Sequence, residues 1–171
     1  MSAPFEMQPQ AVQMHDQLVG IADRWLKRQN CGVTFRDPFR AATKYGEVPD
    51  AIGFRHSVSI LVECKATRSD FLADKKKAFR VDPAKGMGDW RFFLCPGGLI
   101  APDGLPAGWG LLYVTRARVE AAYGMPAGNV NWHSQAPFQG NKECECQLLY
   151  CATRRFVVRG LFDKIYEPIK E

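Results

Sequence analysis

The chain has 171 residues, 46% of them apolar and 12% aromatic, with a net charge of +5. This length and apolar content suit one domain with a full core and exclude a disordered or collagen-like chain. No apolar run approaches the roughly 20 residues of a membrane span, and the mild positive charge admits a polyanionic partner without requiring one.

Residues 1–8 read as a loose N-terminal tail on a single domain spanning 1–171. They lack the basic-then-apolar order of a secretion signal, so a cytoplasmic location with no membrane partner is expected. From Pro9 to Gln29 apolar residues recur at helical spacing: Val12, Val19, Ala22 and Leu26, widened by Leu18, Ile21 and Trp25. His15 falls on that stripe as an expected packing residue, and Asp16 falls on its edge. Gly32–Phe35, Glu47–Phe54 and Val58–Lys65 read as three strands, with Gly53 marking a bulge or a close backbone approach. Ser69 is the expected N-cap of a helix that runs to Asp82-Pro83.

A short glycine loop, Lys85 to Asp89, reads as a tight connection into a fourth strand, Trp90–Cys95. A Pro/Gly-rich stretch then leads to a fifth strand, Gly110–Val114, with Arg116 and Arg118 near its end. Ala121 to Gln139 is weakly patterned, apart from Trp132, which is expected to pack inside. Asn141 to Tyr166 is helical, with Val157-Val158 and Gly160 suggesting a kink or two helices. The pattern describes an α/β fold: a mixed four- to five-stranded sheet flanked by helices. The six cysteines are expected to be free thiols, and the C-x-C-x4-C spacing of Cys144, Cys146 and Cys151 matches no common zinc module.

The chemistry concentrates in Glu47-Val48-Pro49-Asp50 and Ile60-Leu61-Val62-Glu63-Cys64-Lys65. Side chains two apart on a strand share a face, so Glu63 and Lys65 project together while Cys64 points the other way. With the Asp50 segment on the neighbouring strand, the Asp50 and Glu63 carboxylates meet. Two carboxylates and backbone oxygens make a hard-oxygen site suited to Mg²⁺ or Mn²⁺. Lys65 beside such an ion would orient or help deprotonate a water, or stabilise charge on a phosphate. Glu63 ends an apolar run buried on both faces, where a carboxylate needs a partner or a metal.

Pro49-Asp50 followed by Glu63-Cys64-Lys65 resembles the active-site signature of the PD-(D/E)XK nuclease superfamily. The resemblance implies a restriction-endonuclease-like αβββαβ core, with Asp50 and Glu63 as metal ligands, Lys65 as catalytic residue and Cys64 as a ligand through its backbone carbonyl. It also implies a further acid from the first helix, for which Asp16 is the candidate, and leaves Glu47 as a spare acid beside the site. The implied activity is Mg²⁺- or Mn²⁺-dependent hydrolysis of phosphodiester bonds in DNA, with a homodimer or a protein partner as the possible assembly. The basic residues Arg68, Lys75, Lys76, Lys77 and Arg80 are candidates for holding the DNA backbone. The alternative is a non-catalytic nucleic-acid- or protein-binding module on the same fold.

Overall fold

The computed structural model describes residues 9–116 and 118–169; the tail expected over 1–8 lies outside them. Helix α1 (Pro9–Arg28) is followed by strands β1 (Val33–Arg36), β2 (Ala51–Arg55) and β3 (Val58–Cys64). Short helices α2 (Arg68–Asp74) and α3 (Ala78–Val81) lead to β4 (Trp90–Pro96), β5 (Gly110–Thr115) and β6 (Arg118–Tyr123). Helices α4 (Asn131–Ser134) and α5 (Lys142–Val158) close the order, with a 3₁₀ turn over Phe162–Tyr166. The expected helix-strand-strand-strand-helix-strand sequence therefore runs from α1 to β4. No helix among the described residues is long and apolar enough to cross a membrane.

The sheet is mixed, with six strands in the order β1-β2-β3-β4-β5-β6, where the sequence reading expected four to five. β3, β4 and β5 are parallel, and every other pairing is antiparallel. The sixth strand, β6, is an edge strand with an exposed surface, so it carries no alternation of buried and polar residues. Arg116 does not continue β5: it takes a positive φ of 48° in the turn to β6, and Arg118 opens β6.

Alternation along β3 divides the core into two layers. Ile60, Val62 and Cys64 pack with Leu18, Ala22, Trp25 and Leu26 of α1, and Phe92 joins them through an edge-to-face contact with Trp25. Leu61 faces the other way, with Phe71, Met87, Phe93, Trp109, Cys144 and Leu148. Val12 stays exposed at the start of α1, so the buried stripe begins only at Leu18. Gly53 sits in unbroken register with both neighbouring strands and marks a close approach: a Cβ there would lie 2.6 Å from Cys31 Sγ.

Three local expectations are corrected. Residues 47–50 form a loop leading into β2, which starts at Ala51. The helix expected from Ser69 to Asp82 is broken into α2 and α3, and its N-cap is Thr67, whose Oγ1 accepts from the Asp70 amide at 3.2 Å. The third is only a refinement: the break expected near Gly160 is present, where Gly160 adopts a φ of 66° and Leu161 N–H returns to the Phe156 carbonyl, but the segment after it, Phe162–Tyr166, is a 3₁₀ turn and not α-helix.

Two buried polar clusters pin the loop between α3 and β4. Arg91, 1% exposed, donates to the carbonyls of Pro83, Gly86 and Gly88 at 2.8–3.0 Å, so the glycine loop is a structural connection. Asp89 accepts from the backbone N–H groups of Ser59 (2.8 Å) and Gly140 (2.9 Å) and pairs with Lys142 at 2.8 Å. Burial pushes the Asp89 carboxyl up, but the hydrogen bonds and the Lys142 charge outweigh it and hold its pKa below 3.8. A depressed carboxylate contributes stability above its unfolded pKa and loses it as pH falls through the folded value. Asp89→Asn is therefore expected to cost about 2 kcal/mol at neutral pH, the gap to wild type closing in acid below pH 3.8. Urea unfolding as a function of pH checks this.

Candidate active site

β3 ends next to the start of β2, because Ala51 is the antiparallel partner of Val62. This register brings Asp50 and the Glu63–Lys65 segment to one place from positions thirteen residues apart in sequence. Cys64 N–H donates to Asp50 Oδ2 at 2.8 Å, which ties the loop acid to the strand end. A cleft of about 320 Å³ opens here, lined by His15, Asp37, Arg40, Val48, Asp50, Glu63, Cys64, Lys65, Asp70 and Lys77. Asp50, Glu63, Cys64 and Lys65 thus converge as the motif spacing leads one to expect.

Beneath the cleft lies a buried ion network. Lys65 Nζ contacts Glu63 Oε2 at 3.3 Å and Asp74 Oδ1 at 3.2 Å. Arg80 reaches Glu47 Oε1 through Nη1 at 2.6 Å, Asp74 Oδ2 through Nε at 2.7 Å and Glu63 Oε1 through Nη2 at 3.1 Å. The Glu63 contact lacks hydrogen-bond alignment, which leaves Nη2 without a hydrogen-bond partner. Glu47 also accepts the Met87 N–H at 2.6 Å. Glu47 is therefore committed to Arg80 and a loop amide and is not the spare acid the sequence suggests.

The charges have identifiable causes. Burial first, then the Asp50 carboxylate, pushes Glu63 up to about 7 against the pull of Arg80 and Lys65. Burial raises Asp74 as well, but Lys65, Arg80 and Lys77 outweigh it and bring Asp74 down to about 2. Burial works against the Lys65 ammonium, yet Glu63 and Asp74 hold its pKa above the ordinary lysine value. Asp50 is lowered: burial raises it, and the hydrogen bond from His15 and the charge of Lys65 prevail. His15 is raised, chiefly by that hydrogen bond to Asp50.

The other expected site residues are redistributed. Asp16 is exposed and does not line the cleft. α1 instead contributes His15, whose Nε2 lies 3.2 Å from Asp50 Oδ1; one step along a helix turns a side chain by about 100°, and the apolar stripe alone does not fix which neighbour reaches the strand. Arg80 is not a phosphate contact, since its side chain is 3% exposed and enclosed by carboxylates. Lys77 lines the cleft but pairs with Asp74 at 2.7 Å. Arg68 and Lys75 point to the backbone carbonyls of Leu99 and Gly104, and Lys76 is exposed outside the cleft lining. Sequence reasoning passed over Asp74 and Arg40; Asp74 opens the Asp-Lys-Lys-Lys run, so charge alone marked it as surface.

The donor chemistry fits one hard divalent cation. Two carboxylates facing one cleft repel each other, which is part of what raises Glu63, and a cation between them would relieve that repulsion. A strand residue sends its N–H and C=O to the same side, so the Cys64 carbonyl leaves on the Asp50 side. Two carboxylates and a carbonyl, completed by water and phosphate oxygens, suit Mg²⁺ or Mn²⁺. Among the described residues no group of three His, Cys, Asp or Glu side chains converges as a metal cage, and this includes Cys144, Cys146 and Cys151, which are free thiols.

No family model matches the chain, and no curated protein sequence matches it. Among solved structures, the SPO1766 protein of unknown function from Silicibacter pomeroyi is similar, with a TM-score of 0.55 and 23% identity. The alignment covers 98% of this chain and 100% of that one. At this identity the likeness concerns the fold alone.

Removing Arg80 leaves Glu47, Glu63 and Asp74 buried without their shared cation. Arg80→Ala is expected to lower the unfolding free energy by about 3–5 kcal/mol, and Lys76→Ala on the neighbouring surface by less than about 0.5 kcal/mol. Parallel urea titrations measure both.

Proposed function

We propose that the protein is a metal-dependent nuclease of the PD-(D/E)XK type that hydrolyses phosphodiester bonds in DNA. The observation that carries this reading is the convergence of Asp50, Glu63 and Lys65 in one cleft, from the loop before β2 and the end of β3. Asp50 and Glu63, with the Cys64 carbonyl, would hold Mg²⁺ or Mn²⁺. Bound there, the ion would supply Lewis acidity toward a phosphate oxygen and a water of lowered pKa. Glu63 and Asp74 take two of the three Lys65 ammonium hydrogens and hold the ammonium at the cleft. Its raised pKa keeps it charged, so Lys65 orients water and steadies the developing negative charge on phosphate, and does not serve as a neutral base. His15 positions Asp50 from α1. Six free cysteines suit a reducing, cytoplasmic setting.

A second reading, a non-catalytic binding module, has one observation in its favour: both Glu63 oxygens already face a cation, Lys65 or Arg80. The two readings separate on one set of proteins. A panel of supercoiled, linear, single-stranded and branched DNA is incubated with Mg²⁺, Mn²⁺ or EDTA. Wild type is expected to cut in a metal-dependent way, and Asp50→Asn and Lys65→Ala to lose at least about 100-fold in rate. No cutting of any substrate, together with DNA affinity that ignores both metal and Glu63→Gln, would establish the binding module instead.

Metal loading has its own readout. At ten times its Kd, Mn²⁺ is expected to raise the melting temperature by about 3–5 °C through mass action. In Asp50→Asn, which loses a ligand at a partly exposed position, the shift is expected to vanish.

A further inference from the structure

The basic residues of α2 and α3 do not provide a phosphate track. Arg80 is buried, Lys77 is paired with Asp74, and Arg68 and Lys75 turn to the backbone carbonyls of Leu99 and Gly104. Arg40, in the loop between β1 and β2, also lines the cleft; its guanidinium is exposed and held by a long 3.5 Å contact to Asp37 Oδ1, and its backbone carbonyl accepts from Arg155 Nη2 of α5 at 3.2 Å. The Arg155 guanidinium lies 4.5 Å from the centroid of the Phe39 ring, which seats the end of α5 against this loop.

Arg155 is one of a group. Arg154, Arg155, Val158 and Arg159 line a shallow groove of about 260 Å³, and all four are exposed. Among the described residues, none of the three arginines has a carboxylate partner; Arg24 and Arg28 on α1 share that property, but only the α5 group gathers three guanidinium groups in one groove and adjoins the cleft through Arg40. Arg155 and Arg159 stand one turn apart on the helix, a spacing at which like charges repel. The negative end of the helix offsets part of one positive charge, not three. A surface that keeps three guanidinium groups together without counter-charge is matched by a polyanion, and the planar fork of arginine suits phosphate oxygens.

We infer that the C-terminal end of α5 is the DNA-backbone surface of the protein, entered from the cleft through Arg40 and continued by Arg155, Arg154 and Arg159. The inference rests on the nuclease reading above and gives that site the path of its substrate. The DNA crosses the β1–β2 loop and leaves along α5. The apolar cavity formed by Phe156, Leu161, Phe162 and Ile165 is separate from the arginine groove, whose one apolar member is Val158.

The test is duplex binding by fluorescence anisotropy in EDTA, where nothing is cut, across a series of salt concentrations. The variant is Arg154→Ala/Arg159→Ala, which spares the packed Arg155. Arg24→Ala/Arg28→Ala on α1 removes the same charge elsewhere as a control. The α5 variant is expected to lower the slope of log Kobs against log salt by about 2, and affinity at moderate salt by about tenfold or more. The control is expected to stay near wild type. Equal losses in both variants would reduce the effect to net charge and overturn the inference. A wild type that binds and cuts, with an α5 variant that does the same, would overturn it while leaving the nuclease in place. A wild type that neither binds nor cuts would overturn both. Sedimentation of wild type as a dimer that the α5 variant dissolves, with DNA binding unchanged, would assign the face to a second copy and also overturn it.

Discussion

The burial of one carboxylate, that of Glu63, governs the architecture around the cleft. Every residue of β3 is buried, so its acidic member sits where an uncompensated charge costs several kcal/mol. Two cations answer it: Lys65 from the same face of the chain, and Arg80 from α3. This requirement explains why the helix after β3 is broken. On a continuous helix Asp74 and Arg80 would lie about 240° apart around the axis and would not meet. Ending α2 at Asp74 and restarting at Ala78 lets Arg80 fold back to bond Asp74 at 2.7 Å while it also reaches Glu47 and Glu63.

The same strand is fixed at its other end. Ser59, near the start of β3, is tied to Asp89 and lies 2.6 Å from Glu145 of α5, and Lys142 spans both acids. Between the two clusters the strand is all apolar and packs against helices on both faces. Polar networks at both ends and close packing between them hold β3 in one register, and register is what sets Glu63 and Lys65 on the face opposite Cys64.

Much of this is legible in the sequence, for local reasons. The run Val58 to Cys64 declares a buried strand by its own composition, and α1 by its period; the Asp50, Glu63 and Lys65 convergence follows from one antiparallel register. What escapes depends on contacts far along the chain. Arg80 looks like part of a solvated basic run because its partners, Glu47 and Glu63, lie 33 and 17 residues upstream. β6 escapes because an exposed edge strand needs no alternation, and because its hairpin turns through Arg116 where glycine or asparagine would be the usual signal. His15 and Asp16 are adjacent, and which of them reaches the cleft is decided by how α1 packs on the sheet.

The ion network is also a balance sheet of charge. Glu47, Glu63 and Asp74 face Arg80, Lys65 and Lys77, so the buried cluster is electroneutral through its own side chains. Each of these carboxylates has a side-chain cation within reach, unlike small zinc domains whose folding free energy is their metal affinity. On the proposed activity, assembly of the cleft and loading of the cation are then separate events. Asp50 is the carboxylate outside this balance, and it gives the cleft its attraction for a cation, to which the phosphates of the substrate would add further oxygens. Cation and DNA would each favour arrival of the other, a reciprocal linkage that leaves the protein idle when either is scarce.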